Sequence, residues 1–250
     1  MNKLAWTAAG LLALSAVPAF AADLPARVYT KAPPVVAPIY NWAGFYIGVN
    51  GGGGSSHNCW TTTAVALVAV APTSEGCHDA TGGLAGGQIG YRWQMTNWVF
   101  GLEAQGDWAN LKGSNTSSPA AFAPLVNQTK INALGLFTGQ VGYAWNNVLG
   151  YVKGGAAVTD NKYNGLLAGV TFDSASDTRW GGVVGAGVEV GFAPGWSVAF
   201  EYDHLFMDDH SVTFTALGIV TDRTDRIRQD VDMGTVRVNY TFGGPIVAKY

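Results

Sequence analysis

The chain has 250 residues, of which only 12% are charged, against about 25% in an ordinary soluble domain. Its 34 glycines are roughly double the usual share, and 9 tryptophans, 10 tyrosines and 11 phenylalanines accompany them. A net charge of −3 excludes the basic face of a nucleic-acid binder, and a hydrophobic fraction of 48% excludes a disordered chain.

Residues 1–21 read as a secretory signal peptide. Lys3 gives the positive start, Leu4 through Val17 form a mostly apolar stretch, and Ala19-Phe20-Ala21 supplies a small-x-small site with cleavage after Ala21. Residues 22–40 carry Pro25, Pro33, Pro34 and Pro38, which keep this segment out of a sheet. It reads as a periplasmic linker, with peptidoglycan as an alternative docking partner. No later segment is long enough to cross a membrane as a helix: the longest apolar run, Ala64 to Ala71, stops at Pro72.

From Trp42 onward the hydrophobic period is two, the signature of strands. The first strand runs through Phe45-Tyr46-Ile47-Gly48-Val49-Asn50. Then one plan recurs: a strand ending in aromatics, a tight turn, and an aromatic-led strand. The turns fall at Gln94 to Asn97, Asn146-Asn147 and Ala193-Pro194-Gly195. Longer Ser/Thr/Asn/Asp-rich connections near 54–81, 112–129, 160–177 and 207–226 read as loops, and Gly234 to Phe242 is the closing strand. Counting gives an all-β, eight-stranded, antiparallel up-and-down transmembrane β-barrel over residues 41–242, followed by a tail at 243–250. Long loops on one end and short turns on the other match an outer-membrane barrel.

The two strand faces set the solvent. One collects Ile89, Tyr91, Phe100, Leu102, Val141, Val188, Val198 and Phe200; the other collects Arg92, Glu103, Gln105, Asp107, Lys130, Gln140, Lys153, Glu189, Glu201, Asp203 and Arg237, interleaved with glycine. A soluble barrel would place charge outside. A lipid-facing charge near mid-membrane costs about 2–4 kcal/mol, so the charged face belongs in the lumen. Trp93, Trp98, Trp145, Phe192 and Trp196 flank the short turns as an interfacial girdle.

Several stretches also resemble a known family. They are Asn41-Trp42-Ala43-Gly44-Phe45-Tyr46-Ile47-Gly48, Gly142-Tyr143-Ala144-Trp145, Tyr151-Val152-Lys153-Gly154-Gly155-Ala156, Gly185-Ala186-Gly187-Val188-Glu189 and Val236-Arg237-Val238-Asn239-Tyr240-Thr241-Phe242, with the Ala22-Asp23-Leu24-Pro25 start. The chain resembles the small alphaproteobacterial outer-membrane β-barrel surface proteins, related to opacity-type proteins and the OmpA membrane domain. The resemblance implies a cell outer-membrane location and a part in envelope integrity or surface antigenicity, with some relatives called porins by family name. Expected partners are outer-membrane lipid and lipopolysaccharide, the barrel-assembly machinery through the last strand, and peptidoglycan or a host surface. Either Phe242 or Tyr250 is the aromatic assembly signal.

Eight strands make a barrel just wide enough for inward side chains to fill. The set Arg92, Glu103, Asp107, Lys130, Lys153, Glu189, Glu201 and Arg237 is therefore expected to form a plugging charge network, with a narrow gated channel as the alternative. Cys59 and Cys77, separated by 18 positions in an oxidising compartment, are expected to form a disulfide; with His57 and His78 they also allow a Cys₂His₂ metal site. The run 207–232, with Asp208, Asp209, Asp222, Asp225, Asp230 and Asp232 against Arg223, Arg226 and Arg228, reads as a solvated loop or a cation or lipopolysaccharide contact. A lipid A-modifying enzyme would have to use His204, His210 and Ser211 with Asp203, Asp208 or Asp209. In an extended strand His210 and Ser211 point to opposite faces, so no enzyme and no cofactor is expected.

Overall fold

The computed structural model describes residues 40–118, 125–216 and 220–243. The expected signal peptide with cleavage after Ala21, the proline-rich segment before Tyr40 and the tail with Tyr250 lie outside the described residues. Eight strands follow one another: β1 (Gly44–Val65), β2 (Val68–Met95), β3 (Trp98–Thr116), β4 (Leu125–Trp145), β5 (Val148–Leu167), β6 (Val170–Ala193), β7 (Trp196–Ala216) and β8 (Val220–Phe242). Each pairs antiparallel with the next, and β8 returns to β1 with Phe45 opposite Phe242, closing the barrel.

The short turns tighten to Thr96-Asn97, Asn146-Asn147 and Pro194-Gly195. Thr96, Asn146 and Gly195 have φ of 57°, 55° and 76°, in the left-handed region that glycine and asparagine enter at lowest cost. The turn amides also tie neighbouring hairpins together, Asn97 Nδ2 donating to the Ala144 carbonyl and Asn147 Nδ2 to that of Gly191.

The expected long loops are mostly strand. Strands run from 19 to 28 residues, well beyond the 9–11 needed to cross a bilayer. The polar stretches alternate as regularly as the apolar ones, with Asn58, Trp60 and Thr62 buried inward on β1 and Asn127, Thr129 and Ile131 on β4. Above the membrane the outer face meets water and becomes polar while the inner face mixes polar with apolar residues, so the hydropathy contrast that marks a strand weakens. The apolar stretch Ala64 to Ala71 is the β1–β2 hairpin tip, with Val65 opposite Val68 and Leu67 76% exposed.

Outward side chains define a lipid-facing band. Trp93, Trp98, Trp145, Phe192 and Trp196 ring the short-turn end, all exposed. A second aromatic ring of Trp108, Trp180 and Phe206 stands farther along the same strands. At about 3.3 Å per residue and a tilt of about 40°, Trp98 to Trp108 rises about 25 Å, the height of an outer-membrane apolar band. The short turns face the periplasm on this geometry.

Candidate functional site

The lumen is filled in layers. At the periplasmic mouth, the chain ahead of β1 folds inward. Trp42 is fully buried against Val99, Ala144, Leu149 and Tyr151, with the Tyr40 ring tilted against it at a centroid distance of 4.4 Å. The Gln94 Oε1 accepts from the Trp42 backbone N–H at 2.9 Å. Trp42 was read from sequence only as the start of the strand pattern; nothing in periodicity marks a residue before a strand as a plug.

Above it lies an ionic layer inside the membrane band. Arg92 Nη2 meets Glu189 Oε2 at 2.7 Å, and Asn239 Nδ2 and Ser197 Oγ donate to the other Glu189 oxygen. Lys153 Nζ lies 2.7 Å from Glu201, 3.3 Å from Asp203 and 3.5 Å from Glu103. Arg237 bridges Glu103 and Glu201 with separate guanidinium nitrogens. Tyr46 and Tyr151 hydroxyls donate to Glu103 and Glu201, each at 2.6 Å. Arg92 also stands 4.3 Å over the Tyr46 ring, a cation–π contact in a desolvated setting. Six residues of the expected network thus meet here, joined by Asp203.

Two expected members do not join it. Asp107 is buried but takes its hydrogen bond from Gln105 Nε2 at 2.8 Å and forms no ion pair among the described residues. Lys130 is on the outer face. A bulge between Ile131 and Ala133 inserts one residue into β4, so inward positions switch from Leu134, Leu136 and Gln140 to Ile131, Thr129 and Asn127. Counting by twos from Gln140 carries the wrong parity past that bulge.

The next layer is apolar: Leu84, Leu111, Ile131, Leu134, Leu136, Val183, Leu205, Met207, Val231 and Met233 close the lumen near the outer boundary. Beyond it Ser56, Asn58, Asn161 and Gln229 form an amide and hydroxyl layer. Then Trp60, Tyr163, Val212, Phe214 and Ile227 pack together.

A second ionic cluster caps this extracellular part. Arg223 Nη1 lies 2.7 Å from Glu75 and 3.2 Å from Asp225, and its Nε 2.9 Å from Asp173. Asn127 Nδ2 and the Thr62 hydroxyl also donate to Glu75. Burial would raise Glu75, but Arg223 and these hydrogen bonds outweigh it and hold the carboxyl below its usual value. Asp225 goes the other way: burial dominates over Arg223, Glu75 and Asp173 add repulsion, and its pKa is pushed up to about 7. The acidic run 207–232 therefore divides by strand parity. Arg223 and Asp225 point inward, while Arg226 and Arg228 point to solvent. Glu75 and Asp173 escaped the sequence reading because both lie in stretches taken for loops.

The raised Asp225 sets a pH dependence. The folded state holds a proton on Asp225 between about pH 4 and about 7 that the unfolded chain has released, so stability falls as pH rises through this window. Asp225→Asn is expected to remove a penalty of up to about 4 kcal/mol at pH 8 and little at pH 4. Urea midpoints of both proteins at the two pH values check it.

Cys59 and Cys77 are disulfide-bonded, opposite each other in the β1–β2 register on the outer face. The Cys₂His₂ arrangement fails on alternation. His78 turns inward to Asn115 and Thr129, and burial lowers its pKa, whereas His57 stays outside with its Nδ1 2.6 Å from Asp79. Thiol labelling of intact cells is expected to fail at both cysteines until a reductant is added.

The candidate catalytic set is scattered. Both His210 and Ser211 are exposed, and the β7–β8 register sets His210 opposite the inward Ile227 and Ser211 opposite the outward Arg226, the opposite faces expected of an extended strand. His210 Nδ1 pairs with Asp177 at 2.7 Å and His204 Nδ1 with Asp232 at 2.7 Å; Asp203 belongs to the lumen. Among the described residues Ser211 has no hydrogen bond to either histidine.

Comparison with known proteins agrees with this architecture. Residues 7–242 match the family model described as outer membrane protein beta-barrel domain. The chain is 28% identical to a 31 kDa outer-membrane immunogenic protein of Brucella melitensis, over 94% of this chain and 98% of the relative. It is 30% identical to a 25 kDa outer-membrane immunogenic protein of Brucella ovis, over 76% and 81% respectively. The crystal structure of the outer membrane protein OprG from Pseudomonas aeruginosa aligns with a TM-score of 0.53 at 10% identity, covering 82% of this chain and all of that one.

Proposed function

We propose that this chain, which belongs to the outer membrane protein beta-barrel domain family and is an integral outer-membrane protein, is a closed structural barrel. In this reading it presents an extracellular strand crown as an antigenic surface and is neither a diffusion pore nor an enzyme. The observation that carries it is the layered lumen, in which the Trp42 plug, the ionic layer around Glu103, Lys153, Glu201 and Arg237, and the apolar layer around Leu136 follow one another. An ion crossing that path would meet a desolvated apolar layer after every charged one. The immunogenic relatives support the surface role, because the same long strands would carry the exposed epitopes here.

Liposome swelling tests the reading. Vesicles holding the refolded protein are expected to swell in small sugars no faster than protein-free vesicles. Swelling that scales with protein content and falls with solute size would replace it by a narrow channel.

A further inference from the structure

The bulge that turns Lys130 outward has placed it in a row. Lys112 on β3 pairs with Lys130 on β4, and Lys130 pairs with Lys162 on β5. The row ends in Thr81 on β2 and Ser176 on β6. Like charges directly opposite each other across strands, with Cβ atoms about 5 Å apart, repel and destabilise the sheet. Among the described residues none of the three ammonium groups has a carboxylate within salt-bridge distance. Asp160, exposed two residues below Lys162, is the acidic neighbour on β5 and makes no ion pair with it. A row of this kind is stable in the presence of an anion.

Its height identifies the anion. Lys112 lies four residues beyond Trp108, about 10 Å outside the upper aromatic ring by the rise used above. This is the headgroup level of the outer leaflet. One row farther out, Ser114, Gln128 and Asn164 share the outer face, with Asn164 Nδ2 donating to Gln128 Oε1 at 3.2 Å. Ammonium groups beneath a row of hydroxyl and amide groups, and above the apolar lipid-facing band of the same strands, match a lipid bearing phosphates above its acyl chains.

We infer that Lys112, Lys130 and Lys162 form a binding site for the phosphorylated headgroup of an outer-leaflet glycolipid, with its acyl chains against the β3–β5 face. The site goes beyond the structural role and rests only on outer-membrane placement. The refolded protein in detergent micelles is titrated with bisphosphorylated lipid A, with its dephosphorylated form, and with inorganic phosphate. Bisphosphorylated lipid is expected to bind about tenfold or more tightly than the dephosphorylated form, with no saturable binding of inorganic phosphate. The triple variant Lys112→Gln/Lys130→Gln/Lys162→Gln is expected to lose that preference, while Arg226→Gln/Arg228→Gln, which removes charge elsewhere on the outer face, retains it. Without lipid, the triple variant is expected to resist urea at least as well as the parent, since repulsion has been removed. Undiminished preference in the triple variant, or equal affinity for both lipid forms, overturns the site. Saturable inorganic phosphate binding at these lysines overturns the lipid as occupant. Should the triple variant not fold, Lys130→Gln at the centre carries the test, with about a threefold loss of affinity expected and an unchanged affinity overturning the site.

Discussion

Arg237→Ala is expected to destabilise the barrel by about 3–5 kcal/mol, the usual cost of removing one partner from a buried ionic cluster. Arg237 is fully buried and bridges two glutamates that face the lumen from β3 and β7. Its loss leaves Glu103 and Glu201 sharing Lys153, which also serves Asp203. Two carboxylates would then lack a desolvated partner, and the Tyr46 and Tyr151 hydroxyls that donate to them are too weak to compensate. Unfolding in urea, followed by tryptophan fluorescence in micelles, measures the loss. Arg228→Ala removes a charge whose pairing with Asp209 is largely exposed, and is expected to cost under about 1 kcal/mol. The contrast separates lumen chemistry from charge number.

Gly155→Val is expected to prevent barrel closure. A Cβ at Gly155 would lie 2.0 Å from the Phe137 carbonyl oxygen and 2.9 Å from the Thr138 Cα, both backbone atoms of the adjacent strand. Neither can move without opening the β4–β5 ladder, where Gly155 pairs with Thr138. The cost therefore exceeds the about 1–3 kcal/mol of ordinary overpacking. At Gly106 and Gly234 no heavy atom lies within 4 Å of the added Cβ. Gly106→Ala is expected to fold and to show the heat-modifiable gel migration of the parent, while Gly155→Val remains at the unfolded position. Equal behaviour of the two would mean that glycine at the inner positions is not set by close strand approach.

Much of the fold was legible because lipid enforces a clean alternation. Between Trp98 and Trp108 the outward positions of β3 are all apolar or glycine, and the same alternation on the neighbouring strands lets Arg92, Glu103, Lys153, Glu189, Glu201 and Arg237 be assigned inward by counting in twos. That count fails at bulges, which sequence does not display, and the bulge between Ile131 and Ala133 misplaces Lys130 for this reason. Above the membrane the contrast weakens without the lipid. Strands such as Ser55 to Thr62 then looked like loop, and the Arg223 cluster with Glu75 and Asp173 stayed hidden. The Trp42 plug was invisible for another reason: it depends on the chain turning into the lumen ahead of β1, a tertiary contact with no local signature.

The central claim is that the lumen is sealed by alternating ionic and apolar layers. Single-channel recording in planar bilayers, with the refolded protein in molar potassium chloride, tests it directly. The layered lumen predicts a baseline without discrete steps, unchanged in Glu103→Gln. Reproducible steps whose ion selectivity shifts in Glu103→Gln would contradict it, because they would place a continuous conducting path through the ionic layer.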